Sequence, residues 1–342
     1  MAQINKPNEY FNTVLYTGNG STQSITGVNF QPDLTWIKNR GGYWHNLYDV
    51  VRGATKDIYS NATDAEGTNS NRLTSFNSDG FSVGNDTDVN ANSGTYVSWN
   101  WLASNTTASN TDGSITSTVS ANTTAGFSIV SYTGTGGIPL TVGHGLGVTP
   151  EVLIIKNRTN AYNWAVYHKD LGNTGGLFLN TTSAFTTDAD LFNNTSPTSS
   201  VVTFSNSTLT NQGSANHIMY AFNSVKGFSK FGKYTGNGST DGTFVYTGFK
   251  PAFIMTKSYS GYTGYWTIHD ATRNPSNVSS MSALWANVSD AESNAYGFDI
   301  LSNGFKIRST SATLNQSGAG YIYMAFAENP LVGTNNIPAT AR

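Results

Sequence analysis

Carboxylates are the first side chains to consider for catalysis, and here they are few and scattered. The glutamates are Glu9, Glu66, Glu151, Glu292 and Glu328. A glycosidase needs two carboxylates that flank one glycosidic bond, and no glutamate lies near another acid within the apolar strands. The chain also lacks cysteine and a G-x-S-x-G nucleophile motif. We therefore expect a protein that is not an enzyme, with a polysaccharide depolymerase as the weaker alternative.

Histidine and aspartate do not form a convincing metal-binding motif. His168 and His269 occupy the same strand of two repeats described below, which favours a packing role over a functional one. The segment Asp86-Thr-Asp-Val-Asn-Ala-Asn92 alternates oxygen donors. An EF-hand loop, however, needs glycine at position six and glutamate at position twelve, where this chain has Ala91 and Val97. We expect an ordinary polar loop, no metal and no cofactor, although a looser Ca²⁺ site stays open.

An Asp-x-x-Arg pattern occurs twice, as Asp49-Val-Val-Arg52 and as Asp270-Ala-Thr-Arg273. It has two interpretations, a polar contact to a ligand or a salt bridge that closes the edge of a sheet. We favour the salt bridge, because duplication preserves a scaffold more readily than a binding specificity.

A tyrosine-rich loop is the best candidate for ligand binding. Residues 258–265 read Ser-Tyr-Ser-Gly-Tyr-Thr-Gly-Tyr, a composition typical of binding loops because tyrosine supplies rigid amphipathic contact area. The equivalent loops run over residues 39–43 and 157–163. The candidate ligand-binding residues are Tyr259, Tyr262, Tyr265, Trp266, Tyr43, Trp44 and Tyr162. Their aromatic faces suit a sugar ring or a protein partner; the alternative is that the tyrosines pack on their own module.

The elements that position these loops are three copies of one module. Tyr16-Thr-Gly-Asn-Gly recurs at Tyr132 and Tyr234, each time followed by an apolar strand that proline opens and lysine closes. Those strands are Pro32–Lys38, Pro150–Lys156 and Pro251–Lys257. A strand with tryptophan follows, starting at Trp44, Trp164 and Trp266, and each copy ends on an aromatic strand. The repeated aromatic residues Trp36, Trp99, Trp101, Phe222 and Phe326 are predicted to be core.

Thr, Val, Ile and aromatic residues between Gly/Asn/Ser turns favour an all-β protein, and no long segment has helical periodicity with caps at both ends. We predict three tandem antiparallel β-sandwich modules of jelly-roll, concanavalin-like type with an N-terminal arm. The predicted ranges are 1–12 for a docking arm, 13–104 for module 1, 105–124 for a polar linker, 125–225 for module 2, 226–330 for module 3, and 331–342 for a C-terminal tail.

Charge and hydropathy narrow the possible partners. Charged residues make up only 11% of the chain and the formal net charge is −2, so nucleic acid and anionic membrane surfaces are not expected partners. No apolar run approaches the ~18 residues of a membrane span, and residues 1–10 lack the apolar core of a signal peptide. We expect synthesis in a cytoplasm and release by assembly and lysis.

Several segments resemble marine bacteriophage (cyanophage- and pelagiphage-type) virion proteins labelled tail-fibre-like. They include Asp112–Val119 with Ala125–Gly134, Val142–Gly147, Ile155–Arg158 and Trp164–His168, and the resemblance is strongest from Asp112 to Phe222. It implies a virion component with lectin-type sandwich repeats, and it implies no catalytic residues.

The sequence-based hypothesis is therefore a structural virion protein of tail-fibre or adhesion type. Its loops would contact a host-surface glycan or protein, its other partners would be virion proteins, and a homo-oligomer, with a trimer favoured, is expected. The alternative is a capsid decoration or head/tail connector protein that binds only other virion subunits.

Overall fold

The computed structural model describes residues 2–333 and 338–340, and within these ranges the chain is built almost entirely from antiparallel strands. Three segments of the chain repeat the same order of strands, and we call them copies 1, 2 and 3. Each copy consists of a large sheet and a small sheet. The all-β expectation and the antiparallel sheets are confirmed.

Copy 1 is preceded by a 3₁₀ helix, Pro7–Glu9, and has nine strands and one short helix. They are β1 (Phe11–Thr17), β2 (Gln23–Thr26), β3 (Leu34–Asn39), β4 (His45–Asp49), β5 (Lys56–Tyr59), β6 (Gly67–Thr68), β7 (Leu73–Asn77), β8 (Gly80–Val83), α1 (Thr87–Asn90) and β9 (Thr95–Trp101). The large sheet has the order β1-β9-β3-β4-β5-β6, and the small sheet has the order β2-β8-β7.

Copy 2 begins with two additional strands. Its elements are β10 (Ala108–Asn110), β11 (Ser117–Asn122), β12 (Phe127–Thr133), β13 (Leu140–Gly143), β14 (Val152–Asn157), β15 (Ala165–His168), β16 (Gly172–Phe178), β17 (Thr186–Thr187), α2 (Ala189–Phe192), β18 (Val201–Phe204) and β19 (Asn216–Phe222). The large sheet has the order β10-β11-β12-β19-β14-β15-β16-β17, and β13 pairs with β18.

Copy 3 returns to the pattern of copy 1. Its elements are β20 (Ser229–Thr235), β21 (Phe244–Tyr246), β22 (Phe249–Ser260), β23 (Thr267–Asp270), β24 (Met281–Trp285), β25 (Ser293–Tyr296), β26 (Phe298–Leu301), β27 (Gly304–Ile307), α3 (Ala312–Asn315) and β28 (Gly320–Pro330). The sheets have the orders β20-β28-β22-β23-β24-β25 and β21-β27-β26.

Local signals account for the repeated turns and caps. The tight connections β7–β8 and β26–β27 end at Gly80 and Gly304, where an added Cβ would lie 2.0 Å from a backbone carbonyl oxygen of the neighbouring strand. The short helices are capped by Asp86, Asp188 and Ser311, whose side chains accept a hydrogen bond from the amide two residues later. In Asp86, which begins the segment of alternating oxygen donors, Oδ1 serves this cap and Oδ2 pairs with Asn69 and Arg72.

Each large sheet is buried on both faces. In copy 1 one face contributes Ile37, Tyr48 and Tyr96 to a local core with the small sheet, while the other face contributes Trp36 and Trp99 to a second core. That second core is shared, since it also contains side chains of the large sheets of copies 2 and 3. The three copies therefore surround one common apolar core. The predicted core residues are all in it: Trp36, Trp99, Trp101, Phe222 and Phe326.

Two segments that were predicted to lie outside the modules, a linker and a docking arm, contact or extend the sheets. The 105–124 segment, predicted as a polar linker, supplies β10 and β11 to the sheet of copy 2. In the predicted N-terminal docking arm, the Ile4 amide donates to the Lys226 carbonyl at 3.0 Å, and the Ile4 side chain is buried in the common core. Residues of the predicted C-terminal tail lie partly outside the described residues.

The strand register corrects the alignment of the tryptophan strands by one residue. Ile155 pairs with Ala165, Thr256 pairs with Thr267, and the equivalent Ile37 pairs with Asn46. His45, rather than Trp44, therefore occupies the inward position of Trp164 and Trp266. Because a shift of one residue moves a side chain to the other face of a strand, Trp44 is free of the core.

Candidate ligand-binding groove

The structure separates the seven predicted site residues into exposed and packed ones. Tyr43, Trp44 and Tyr265 are exposed, at 50%, 39% and 36%, and Tyr162 is half-buried. Tyr259 packs on the common core and Tyr262 on the core of copy 3. Trp266 is 3% exposed, so a surface ligand does not reach it. In the tyrosine-rich loop, Tyr259 and Tyr262 thus pack against the protein, and Tyr265 is exposed.

Tyr43 and Trp44 line a groove of about 340 Å³ between copies 1 and 3, which we call the aromatic groove. Its other lining residues are Tyr59, Arg72, Asp88 and Ser289. The Trp44 and Tyr59 rings meet edge-on, with their centroids 4.7 Å apart. The groove therefore combines exposed aromatic faces with hydroxyl, guanidinium and carboxylate groups.

The loop that presents Tyr43 is held in a strained conformation. Tyr43 has a φ of 64°, which is costly for a bulky residue and persists only where neighbouring contacts enforce it. The buried Lys38 ammonium supplies those contacts, since it donates to the carbonyls of Gly42, Tyr43 and, across the copy boundary, Ser289 at 2.5, 2.8 and 3.1 Å. Burial lowers the pKa of Lys38 to about 7. These contacts anchor the backbone that carries the exposed Tyr43 ring.

Arg72 organises the polar wall of the aromatic groove. It forms ion pairs with Asp57, Asp86 and Asp88, and its guanidinium lies 5.4 Å from the centre of the Tyr59 ring. Burial raises the pKa of Asp88, while Arg72 acts in the opposite direction. One guanidinium faces three carboxylates, so the formal charge of this cluster is −2, and of the three carboxylates Asp88 lines the groove.

The Asp-x-x-Arg pairs form salt bridges, as the favoured interpretation predicted, but they are buried inside the protein and do not close a sheet edge. Arg273 Nε lies 2.5 Å from Asp270 Oδ2, and both side chains are fully buried. Asp270 Oδ2 also accepts from Trp99 Nε1 of copy 1 at 3.1 Å. Arg273 in turn contacts Glu292, which forms a bidentate pair with Arg40 of copy 1. This cluster joins copy 3 to copy 1.

The boundary between copies 1 and 2 uses the same arrangement. Arg52 pairs with the buried Asp49, which accepts from the Tyr220 hydroxyl of copy 2 at 2.8 Å. Glu66 links Arg52 to Arg158 of copy 2. Arg52 and Arg158 account for the lowered pKa of the Glu66 carboxyl, against the effect of burial. Two of the three boundaries are thus closed by the same ionic cluster.

The boundary between copies 2 and 3 replaces every member of that cluster. The equivalent positions, identified by strand pairing and by matching backbone hydrogen bonds, are His168, Leu171, Phe185, Tyr259 and Met324. The Phe185 backbone amide donates to the Tyr259 carbonyl at 3.0 Å. In the same way, the backbone amide of Glu66 donates to the Arg158 carbonyl and that of Glu292 to the Arg40 carbonyl. This boundary therefore has an apolar set of residues where the other two have an ionic cluster, and Leu171 of copy 2 stands at the position of the Asp-x-x-Arg arginine.

Residues 2–333 and 338–340 contain neither a cluster of metal ligands nor a helix that could span a membrane. Within these ranges no group of three or more His, Asp or Glu residues is placed to hold a metal ion. Among the same residues, no helix has the length and apolar character needed to cross a bilayer.

Comparison with known proteins assigns the family. A family model described as a domain of unknown function, DUF7483, matches residues 6–330, and the chain belongs to this family. The matched range contains all three copies. A search of curated proteins found no match.

Proposed function

We propose that this chain is a structural protein of a bacteriophage virion, of the tail-fibre or adhesion type, whose aromatic groove binds a host-surface glycan. The resemblance of several segments to tail-fibre-like virion proteins supports the virion part of the proposal. The jelly-roll, concanavalin-like identity of each copy and a homotrimeric assembly belong to the same proposal. The chain would act in the virion after synthesis in the host cytoplasm.

The observation that carries the glycan part is the exposed pair Tyr43 and Trp44 beside the Arg72–Asp88 ion pair. An aromatic face packs on the C–H face of a sugar ring, and charged groups beside it bind the hydroxyls. The surplus of carboxylates around Arg72 favours a neutral sugar over one that carries a carboxylate or sulfate, since like charges repel. The Lys38 anchor supports this role because a preorganised loop loses less entropy on binding.

Binding is tested with an array of neutral and acidic glycans, comparing the wild-type protein with Trp44→Asn. Asn163 occupies the equivalent position in copy 2, so this substitution suits the fold. We expect saturable binding to neutral glycans and at least a tenfold loss in the variant. Unchanged binding by Trp44→Asn would remove the aromatic groove from the site.

The virion part is tested by cryo-electron microscopy of the intact particle. A few copies at the tail with the aromatic groove facing outward would support adhesion. Many copies spread over the head shell would instead support the alternative, a capsid decoration protein. Absence of the chain from purified particles would refute both.

A further inference from the structure

Two adjacent hollows lie where copies 2 and 3 join, away from the aromatic groove. They have a common floor, formed by Lys226, Gly227, Tyr246 and Gly248. The first, the basic hollow, measures about 330 Å³ and is also lined by Glu151, Lys169 and Lys230. The second, which we call the apolar hollow after Pro330, Leu331 and Val332 in its wall, measures about 180 Å³ and is also lined by Gln3. Together the hollows form one surface that has lysines and Glu151 at one end and these three apolar residues at the other.

The basic hollow has a surplus of positive charge. Lys169 pairs with Glu151 at 3.1 Å, and the Ser224 hydroxyl donates to the same carboxylate at 2.5 Å. Within the described part of the chain, neither Lys226 nor Lys230 has a carboxylate at ion-pair distance. Three ammonium groups thus face one carboxylate, a formal charge of +2. Burial, and then the nearby Lys169, lower the pKa of Lys230, and an anionic ligand would relieve this repulsion.

Tyr246 lines both hollows, and a second exposed aromatic residue, Phe244, lies two positions before it on the same strand. Strand β21 turns Val245 inward and Phe244 and Tyr246 outward, at 44% and 52% exposure. The Lys230 ammonium lies 5.3 Å from the centre of the Tyr246 ring and donates to the Tyr246 carbonyl at 3.0 Å. Exposed aromatic residues beside a cation are typical of the anchoring residues of protein interfaces.

The other two copies show that the fold does not require these residues. Strand pairing places Ser24 and Thr26 of copy 1 at the positions of Phe244 and Tyr246. Copy 2 has Thr141 and Gly143 there. Lys230 is likewise unique to copy 3, because Asn12 and Ser128 occupy its position in the other copies. Three positions of copy 3 therefore carry an aromatic or cationic residue where copies 1 and 2 carry a small or uncharged one. Because those copies fold without such residues, the residues of copy 3 indicate a role outside folding.

We propose that this surface binds an extended peptide segment of a partner protein, with an acidic side chain in the basic hollow and an apolar side chain in the apolar hollow. Neighbouring pockets of different chemistry are how extended peptides are recognised, since their alternate side chains point to the same face. An acidic glycan would use the lysines and leave the apolar hollow empty. This docking surface goes beyond glycan binding and would attach the protein while the aromatic groove stays free.

The test is fluorescence anisotropy with labelled peptides at low salt. Because side chains two residues apart share a face, the probes are Gly-Thr-Glu-Thr-Leu-Thr-Gly and its reversed order, Gly-Thr-Leu-Thr-Glu-Thr-Gly. The matched controls replace Glu by Gln or Leu by Ser. We expect saturable binding of one order and at least a tenfold loss with either control peptide.

The protein variants use the residues of copy 1, so that each substitution is already compatible with the fold. Lys230→Asn and Tyr246→Thr should each weaken binding at least tenfold, while Lys6→Gln, at an exposed lysine outside the hollows, should change it less than twofold. Circular dichroism checks that the variants are folded. Absence of saturable binding in both orders, equal binding by the variants, or binding of an oligouronate without the peptide would each overturn the proposal. None of these outcomes bears on the aromatic groove.

Discussion

Replacing Arg273 by leucine is expected to destabilise the protein strongly, because it leaves the Asp270 carboxylate buried without its cation. Both side chains of the pair are fully buried, and Arg273 also reaches Glu292 and the Ile268 carbonyl at 2.8 and 3.1 Å. Removing one member of a buried ion pair costs about 3–5 kcal/mol. We therefore expect the free energy of unfolding to fall by about that amount.

The apolar boundary between copies 2 and 3 provides the compensating set of residues. Its residues can be transferred to the boundary between copies 3 and 1 by five substitutions made together, which are Asp270→His, Arg273→Leu, Glu292→Phe, Arg40→Tyr and Trp99→Met. Replacing a whole buried ionic cluster by packed residues is often close to neutral. The free energy of unfolding of the fivefold variant should therefore lie within about 2 kcal/mol of the wild-type value, far closer to it than that of the single variant.

Guanidinium chloride denaturation, followed by circular dichroism, measures both changes. The matched control is Arg308→Leu, because Arg308 pairs with Asp241 and Asp299 at the surface and is 43% exposed; exposed pairs contribute less than about 1 kcal/mol. The reasoning is refuted if Arg273→Leu costs no more than the control. It is equally refuted if the fivefold variant is less stable than Arg273→Leu.

Three further predictions concern acid stability, a loop tyrosine and a turn. Burial lowers the pKa of His168 and His217 to about 4 and that of His269 to about 3. In the unfolded chain these histidines bind a proton near pH 6.5. The free energy of unfolding therefore falls as the pH drops from 6.5 towards 4. Burial also lowers the pKa of His45 and His144, whereas it raises the pKa of Asp33 to about 6, which offsets one proton. Urea titrations near pH 5 should therefore give a slope of at least about 3 kcal/mol per pH unit, and a flat profile would contradict this. Tyr262→Ala should reduce thermal stability because the ring packs on the core of copy 3, and unchanged melting would show that the ring is not scaffold. Gly80→Ala should cost at least about 1 kcal/mol in chemical denaturation, because φ is 137° and the new Cβ meets the Ile25 carbonyl.

The repeated strands and the burial of their aromatic residues were predictable because these signals are local in the sequence. Repeated motifs predicted three copies, and residues such as Trp99 and Phe326 were correctly assigned to the core. The Trp44 strand shows the limit of this reasoning. Matching tryptophan to tryptophan aligned Trp44 with Trp164 and Trp266, whereas the pairing of β3 with β4 puts His45 at their position. Only the hydrogen-bonded register distinguishes the two alignments.

The sequence by itself determined the all-β class, the threefold repetition and the apolar character of the strands, since these follow from composition and spacing along the chain. It could not show what covers the second face of each large sheet, because that surface is contributed by the other two copies. The aromatic groove and the ionic clusters depend on the same packing. Ser289 reaches the groove from copy 3, and Arg40 meets Glu292 across 252 positions of the chain. Such contacts arise only when the three sheets close around their common core.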